Sequence, residues 1–294
     1  GNFEGKNILV ESKNELNEGE QKKITQIEEK LIQERSKRVR PFFDDKSQTD
    51  LNAFILDTLI GSAIVLGDNN LKNEAMSTLE ILNKKLSNKI YHCYDSTEID
   101  AFLEDYVYYA MLLVTLYEVN GDEKSLEKAI NTMKEIWEIF YNKDTQLLQK
   151  NKIKDNDLFV SPIDLNDSNI PNGNSVYLNL CNKIYTITND KFWFDKVEIL
   201  KKSFHQVLNS FFSQMFSFIK VLDLCENSIS FTFFGNQDSI KDIKINLQKD
   251  YLGRATFVYK NNNEEGSVVI CKNQTCSEKL KSFDQVKNFL ENNI

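Results

Sequence analysis

The sequence predicts a mainly α fold: part of an α/α toroid, or a helical-hairpin solenoid, over residues 1–227, then a small α/β subdomain over 228–294. Three observations predict it. Segments apolar on nearly every face alternate with segments apolar on one face, and a helix apolar all round must be buried on all sides while an amphipathic one lies at a surface. The connections Gly67–Asn70 and Asn120–Glu123 are short enough to join antiparallel neighbours. From Ser228 the pattern changes to short aromatic and β-branched runs.

Taken in order, residues 1–19 read as a polar, extended lead-in with Phe3, Ile8 and Leu9 as anchors. From Glu20 to Lys37, Ile24, Ile27 and Leu31 recur between charges, the spacing of an amphipathic helix, and Pro41 breaks that helix before Asp44. The first all-apolar helix is Leu51–Leu66, ended by Gly67-Asp68; its partner carries Leu71, Ala75, Leu79, Leu82 and Leu86. The second spans Ala101–Val119, where Tyr106 to Val114 runs without a polar break. Its partner carries Leu126, Ala129, Ile130, Met133, Ile136, Trp137 and Phe140. The third is Ser175–Ile187, followed by a helix from Phe192 past Leu208. Beyond Ser228 we expect strands at 230–235, 255–259 and 267–271, a helix at 237–249 and a closing helix at 283–290. Gly235-Asn236 reads as a structural turn.

A chain of 294 residues with 41% hydrophobic and 27% charged residues has an ordinary globular composition. Its net charge of -8 excludes a general nucleic-acid binder, which needs a basic footprint. No run of eighteen apolar residues is present, so no membrane span is expected, and no secretory signal begins the chain. It opens on Gly1, so we expect a piece of a longer protein. The five cysteines, an odd number set mostly in apolar patterns, point to a reducing, cytoplasmic compartment. Cys271 and Cys276 lack a nearby histidine and read as buried or turn thiols.

Alternating inner and outer helices place all inner N-termini at one end. There stand Thr49-Asp50-Leu51-Asn52, Leu103-Glu104-Asp105-Tyr106 and Asn172-Gly173-Asn174-Ser175, three polar motifs converging on one rim. Ordinary N-caps explain one polar residue per helix. They do not explain Glu104, Asp105 and Tyr106 inside an otherwise apolar helix, which are costly to bury unpaired. Glycoside chemistry needs two carboxyl groups roughly 5 to 9.5 Å apart. Asp45, Asp50, Glu104 and Asp105 are the catalytic candidates. Asp44, Lys46, Asn52, His92, Tyr106, Asp167, Asn174 and Ser175 are the ligand-binding ones, with Arg40 or Lys46 holding a carboxylate ionised. His92 lies in the loop before the second inner helix; His205 is structural. No His, Cys or Asp cluster has ligand spacing, so neither metal nor cofactor is expected.

Several of these segments resemble one family. Gly1-Asn2-Phe3-Glu4-Gly5-Lys6-Asn7-Ile8-Leu9, Arg40-Pro41 with Asp44-Asp45-Lys46, and Thr49-Asp50-Leu51-Asn52 carry the likeness first. Phe102-Leu103-Glu104-Asp105-Tyr106, Leu116-Tyr117-Glu118, Pro171-Asn172-Gly173-Asn174-Ser175 and Cys271-Lys272-Asn273-Gln274-Thr275-Cys276 come after them in the same order. Together they resemble the C-terminal part of the YyaL-like proteins, also called the spermatogenesis-associated, thioredoxin-domain-containing family. The resemblance implies an upstream thioredoxin-like domain, further toroid hairpins, and a helical part similar to six-hairpin glycosidases and N-acylglucosamine epimerases. Departures fall on the rim. Leu51 stands where the family has a tryptophan able to stack a sugar, Asn172 where it has a serine, and Val160-Ser161-Pro162 where it has an arginine. Tyr91–Asp95 also lacks the family's Arg and Gly. Two functions are open: a toroid that binds a sugar or sugar-like ligand at the rim, with glycosidase- or epimerase-like activity if it turns over; or a non-catalytic scaffold working with the upstream domain. Convergence of Asp45, Asp50, Glu104 and Asp105 on an open pocket favours the first, and a closed ion-paired network the second.

Overall fold

The computed structural model describes residues 1, 3–10, 16–95, 99–152, 161–261, 265–273 and 275–293. The chain divides into two compact units, Gly1–Asp45 and Lys46–Ile294. The first holds α1 (Glu18–Ser36), started by a capping box in which Asn17 and Glu20 satisfy each other's backbone N–H groups. None of its residues is buried, and Ile27, Leu31 and Ile32 are exposed.

The second unit is built of three helical hairpins: α2 (Thr49–Leu66) with α3 (Asn69–Lys85), α4 (Leu103–Asn120) with α5 (Glu123–Phe140), and α6 (Gly173–Thr188) with α7 (Lys191–Phe211). The first member of each packs side by side in an inner layer, α2 on α4 and α4 on α6, while each second member covers its own partner. This is the mainly α, partial α/α toroid that the alternation predicted. α4 is the centre: Val107, Tyr108, Ala110 and Leu112 have no exposed surface. Each buried aliphatic side chain of this kind stabilises the fold by about 1.5–3 kcal/mol relative to exposure. α8 (Phe216–Glu226), which the periodicity did not reveal, packs on α6, and a short hairpin of β1 (Tyr141–Asn142) and β2 (Leu147–Leu148) comes after α5.

One turn is used three times. Each inner helix ends in a left-handed residue, Gly67 (φ 68°), Gly121 (φ 70°) or Asn189 (φ 55°), and the next residue is an aspartate. Glycine and asparagine tolerate that backbone best. Asp68, Asp122 and Asp190 then cap the outer helices, accepting from the N–H groups of Asn70, Lys124 and Phe192 at 2.9, 3.1 and 3.0 Å. At Gly121 a Cβ would also stand 2.7 Å from Gln237 Nε2, so the C-terminal segment closes tightly on this turn.

The C-terminal segment forms a four-stranded sheet in the order β4-β3-β5-β6, from β3 (Ile229–Phe234), β4 (Thr256–Lys260), β5 (Ser267–Lys272) and β6 (Thr275–Cys276). β3 and β4 run parallel through the crossover helix α9 (Lys241–Tyr251); β5 is antiparallel to both neighbours, and α10 (Phe283–Asn293) ends the chain. Its core includes Tyr117, Leu126 and Ile187 from the hairpins, so sheet and helices share one packed interior. The change at 227/228 is thus one of secondary structure; the division in compactness falls after Asp45.

Two expectations need correction. Cys271 and Cys276 face each other across β5 and β6 and are joined in a disulfide, whereas two thiols were expected. α2, at 18 residues, is long and apolar enough to cross a membrane, although Asp50 and Asp57 keep it from being an unbroken apolar run. Here Ala53, Leu56, Ile60 and Ala63 are buried against its neighbours.

Candidate functional site

The inner helices do bring their N-termini together, and specific contacts hold them. The loop before α4 pairs with the segment leading into α2: Thr49 N–H donates to His92 O at 2.8 Å, Tyr94 N–H to Ser47 O at 3.2 Å, and Thr49 Oγ1 to Tyr91 O at 2.5 Å. His92 is thereby fixed at the mouth of α2. Gly173 does the same between α4 and α6, since a Cβ there would stand 3.0 Å from Glu104 Oε1 and 3.1 Å from Leu103 Cδ2.

Asp105, which has no exposed surface, is the knot. Its Oδ2 accepts from Phe102 N–H at 2.8 Å and its Oδ1 from Asp50 N–H at 3.1 Å, so it caps its own helix and α2 as well. His92 Nδ1 lies 3.1 Å from its Oδ2, and His92 Nε2 lies 3.2 Å from Gln48 Nε2. The amide of Gln48 donates, so Nε2 accepts and Nδ1 carries the proton given to Asp105. Burial pushes the Asp105 carboxyl up to about 6, with the Asp50 charge adding to the rise and the Phe102 N–H and His92 opposing it.

In front of this knot lies a cavity of about 450 Å³, lined by Asp50, His92, Phe102, Glu104, Lys150, Asp164, Asn166, Ser168, Ile170, Pro171 and Asn172. Glu104 is the group it shapes most. Its Oε2 is wholly buried and has no hydrogen-bond partner among the described residues. Burial holds its carboxyl above the usual range, with Lys150 pulling the other way. Lys150 pairs with Asp164 at 3.3 Å.

The other predicted residues are placed differently. Asn52 gives its amide to Gln48 O, and Asn174 exchanges hydrogen bonds with the backbone of Leu148 at 2.8 and 2.7 Å. Asp167 clamps the starts of α6 and α8, accepting from Asn172 N–H and from Ser217 N–H at 2.6 Å. Tyr106 is buried against Phe140 with its hydroxyl 3.4 Å from Glu135, and Tyr108 donates to Pro171 O. Burial raises both phenols, first of all causes. Ser175 is fully buried with its Oγ unpartnered among the described residues. Lys46 is exposed at the start of the second unit; Arg40, Asp44 and Asp45 are exposed in the first. His205 is exposed, its Nδ1 2.7 Å from Lys201 O. Val160 and Gln274 lie outside the described residues.

Sequence reasoning missed Lys150, Asp164, Asn166 and Ser168, which come from an irregular stretch with no periodic signal. It also expected no metal cluster. One ligand atom each from Asp50, His92 and Asp105 lie within 4.8 Å of one another, a convergence that linear spacing cannot show because three segments supply it. A larger cavity of about 690 Å³, lined among others by Tyr185, Phe194, Cys225 and the disulfide, holds none of the predicted residues.

No family model and no curated protein matches the chain. Solved structures give distant likenesses. The GH76A alpha-1,6-mannanase from Salegentibacter sp. HEL1_6 shares 13% identity over 64% of this chain and 54% of its own, with a TM-score of 0.42. An inactive variant of that mannanase in complex with alpha-1,6-mannotriose gives 16% identity over 54% of this chain and 61% of its own, at 0.34. A family 76 glycoside hydrolase from a bovine Bacteroides thetaiotaomicron strain gives 15% identity over 50% and 33%, at 0.36. The chain spans less than two thirds of each. Likeness at this level transfers neither ligand nor activity.

Proposed function

We propose that the cavity at the N-terminal ends of the inner helices binds a small, neutral, polyhydroxylated ligand, a sugar or sugar-like molecule. The observation that carries this is the lining. Asp50, Glu104 and Asp164 face one lysine, with the amides of Asn166 and Asn172 and the hydroxyl of Ser168 around them. An anion would meet net repulsion there, and an apolar ligand would strip polar walls of water without replacing their hydrogen bonds. A polyol donates hydroxyl protons to carboxylates and accepts from amides, which fits this inventory. Asp50 and Glu104 bring carboxyl groups from neighbouring helices to one lining, where each can accept from a ligand's hydroxyls. In this reading the chain is the toroid portion of a YyaL-like protein, resting on the motifs quoted above.

The scaffold reading draws support from one feature: Asp105 spends both oxygens on groups of the protein and lies outside the cavity lining, so it positions the site and meets no sugar directly. Calorimetric titration with neutral mono- and disaccharides separates the two. We expect saturable binding of at least one sugar, weakened at least about tenfold by Glu104→Gln, consistent with loss of a charge-assisted hydrogen bond. A flat titration across the panel in the folded wild type overturns the ligand reading and leaves the scaffold.

A further inference from the structure

We propose that Asp50, His92 and Asp105 form a binding site for one divalent first-row cation of the Mn²⁺ or Zn²⁺ class, open on one side to the cavity. A bound cation would take vicinal hydroxyls of the ligand in its free positions. That last step rests on the polyol reading above; the cation site itself does not.

The geometry comes first. Ligand atoms around such a cation sit about 2.0–2.2 Å from it and so stand near 3 Å from one another. His92 Nδ1 and Asp105 Oδ2 are already 3.1 Å apart, and the set with Asp50 lies within 4.8 Å, so a modest rotation of the Asp50 side chain closes it. The ligands come from α2, from the loop before α4 and from α4 itself, elements tied together by the backbone bonds of Thr49 and Asp50.

Outer contacts hold the set as ligands are usually held. A metal-binding histidine engages its second nitrogen, and ligating carboxylates are themselves hydrogen-bonded. Gln48 engages the far nitrogen of His92, and the Phe102 and Asp50 N–H groups fix the Asp105 carboxylate. To bind a cation, Nδ1 gives up its proton, which reappears on Nε2 as the Gln48 amide turns to present its oxygen. The neutral imidazole changes tautomer and no net proton is lost.

Charge and access agree. Two carboxylates face one another here, and among the described residues neither forms an ion pair with lysine or arginine. Asp50 and His92 line the cavity, which leaves coordination positions facing solvent, and Glu104 lines it beside them. One imidazole with two carboxylates suits Mn²⁺ or Zn²⁺; an imidazole is a poor ligand for Ca²⁺ or Mg²⁺.

The test is titration of the whole chain with MnCl₂, following the electron paramagnetic resonance signal of free Mn²⁺, with no sugar present. We expect one Mn²⁺ per chain, with affinity reduced at least about tenfold in His92→Gln and in Asp50→Asn and unchanged in Asp68→Asn at the far end of α2. These two sites are partly exposed, which keeps the variants foldable where the buried Asp105 is riskier; circular dichroism checks the fold. Absence of stoichiometric binding, or binding indifferent to both substitutions, overturns the proposal. Mn²⁺ uptake with no sugar response keeps the cation site and sinks the polyol reading; sugar binding in EDTA without Mn²⁺ uptake does the reverse.

Discussion

The two ends of the inner helices bury acidic groups in opposite ways. At the C-terminal end of α4, Glu118 is 1% exposed and fully engaged. Lys183 Nζ donates to its Oε2 at 2.6 Å and Phe257 N–H to its Oε1 at 3.3 Å. Gln248 and Tyr259 take the last carbonyls of the helix, Tyr259 at 2.6 Å from Glu118 O and Gln248 at 3.1 Å from Val119 O. The sheet closes that end. At the N-terminal end, Asp105 ties three segments together, but Glu104 faces a cavity with one oxygen unpartnered among the described residues. A buried carboxylate matched by a cation and backbone donors holds a fold together; one left incompletely matched beside a cavity is a candidate for function. The same helix thus carries a structural acid and a site acid at opposite ends.

The largest expected effect breaks the closed end. Glu118→Ala leaves the Lys183 ammonium, 11% exposed, without its partner and strands the Phe257 N–H. Removing one member of a buried pair costs about 3–5 kcal/mol. Urea unfolding of Glu118→Ala against Glu104→Gln sharpens the contrast, because the second should shift stability by less than about 1 kcal/mol while weakening ligand binding at least about tenfold. Equal losses in both variants would erase the distinction between the ends.

Asp57 lies between them on α2 and shows what an incompletely matched acid costs. Its Oδ1 is buried without a partner among the described residues, and burial raises its carboxyl from 3.8 to about 6, while Thr115 and Lys183 pull it down. A raised acid favours the protonated folded form. Its penalty is therefore present in full above pH 6 and relieved as pH falls from 6 towards 4. Asp57→Asn should stabilise the protein by about 2 kcal/mol at pH 8, with the advantage gone near pH 4. Unfolding midpoints of the two proteins across that range, if parallel, would refute the assignment.

How much of this could be read in the sequence depends on range. Inner and outer helices were legible because burial on all sides or on one leaves a period in the residues themselves, as in Tyr106–Val114 against Leu126–Phe140. The short α8 and the β1–β2 hairpin carry too few residues for a period. At the site, the convergence of Asp50, Glu104 and Asp105 on one end came from the alternation, and His92 was added by its place in the loop before α4. Their partners did not. Asn174 reads as a rim residue, yet its amide is used by the backbone of Leu148, and Asp167 is used by Asn172 and Ser217. The pairings with Leu148 and Ser217 join positions well apart in the chain, and nothing local in the sequence records them. Nor does a ligand set drawn from α2, a loop and α4 leave a spacing to find.

The smallest expected effect concerns how the two ends are capped. At the closed end each outer helix starts with its own aspartate; Asp122, for example, accepts from Lys124 N–H and from Ser125 Oγ at 2.6 Å. At the open end Gln48 and Phe102 provide no side-chain cap, and Asp105 serves both helices. Asp68→Ala, Asp122→Ala and Asp190→Ala should each cost about 1 kcal/mol, the usual loss for an N-cap. Their effects should add, since the three turns share no partner. Thermal unfolding of the single and triple variants measures this. A triple loss well below the sum would mean that the turns are held mainly by their left-handed residues and by packing.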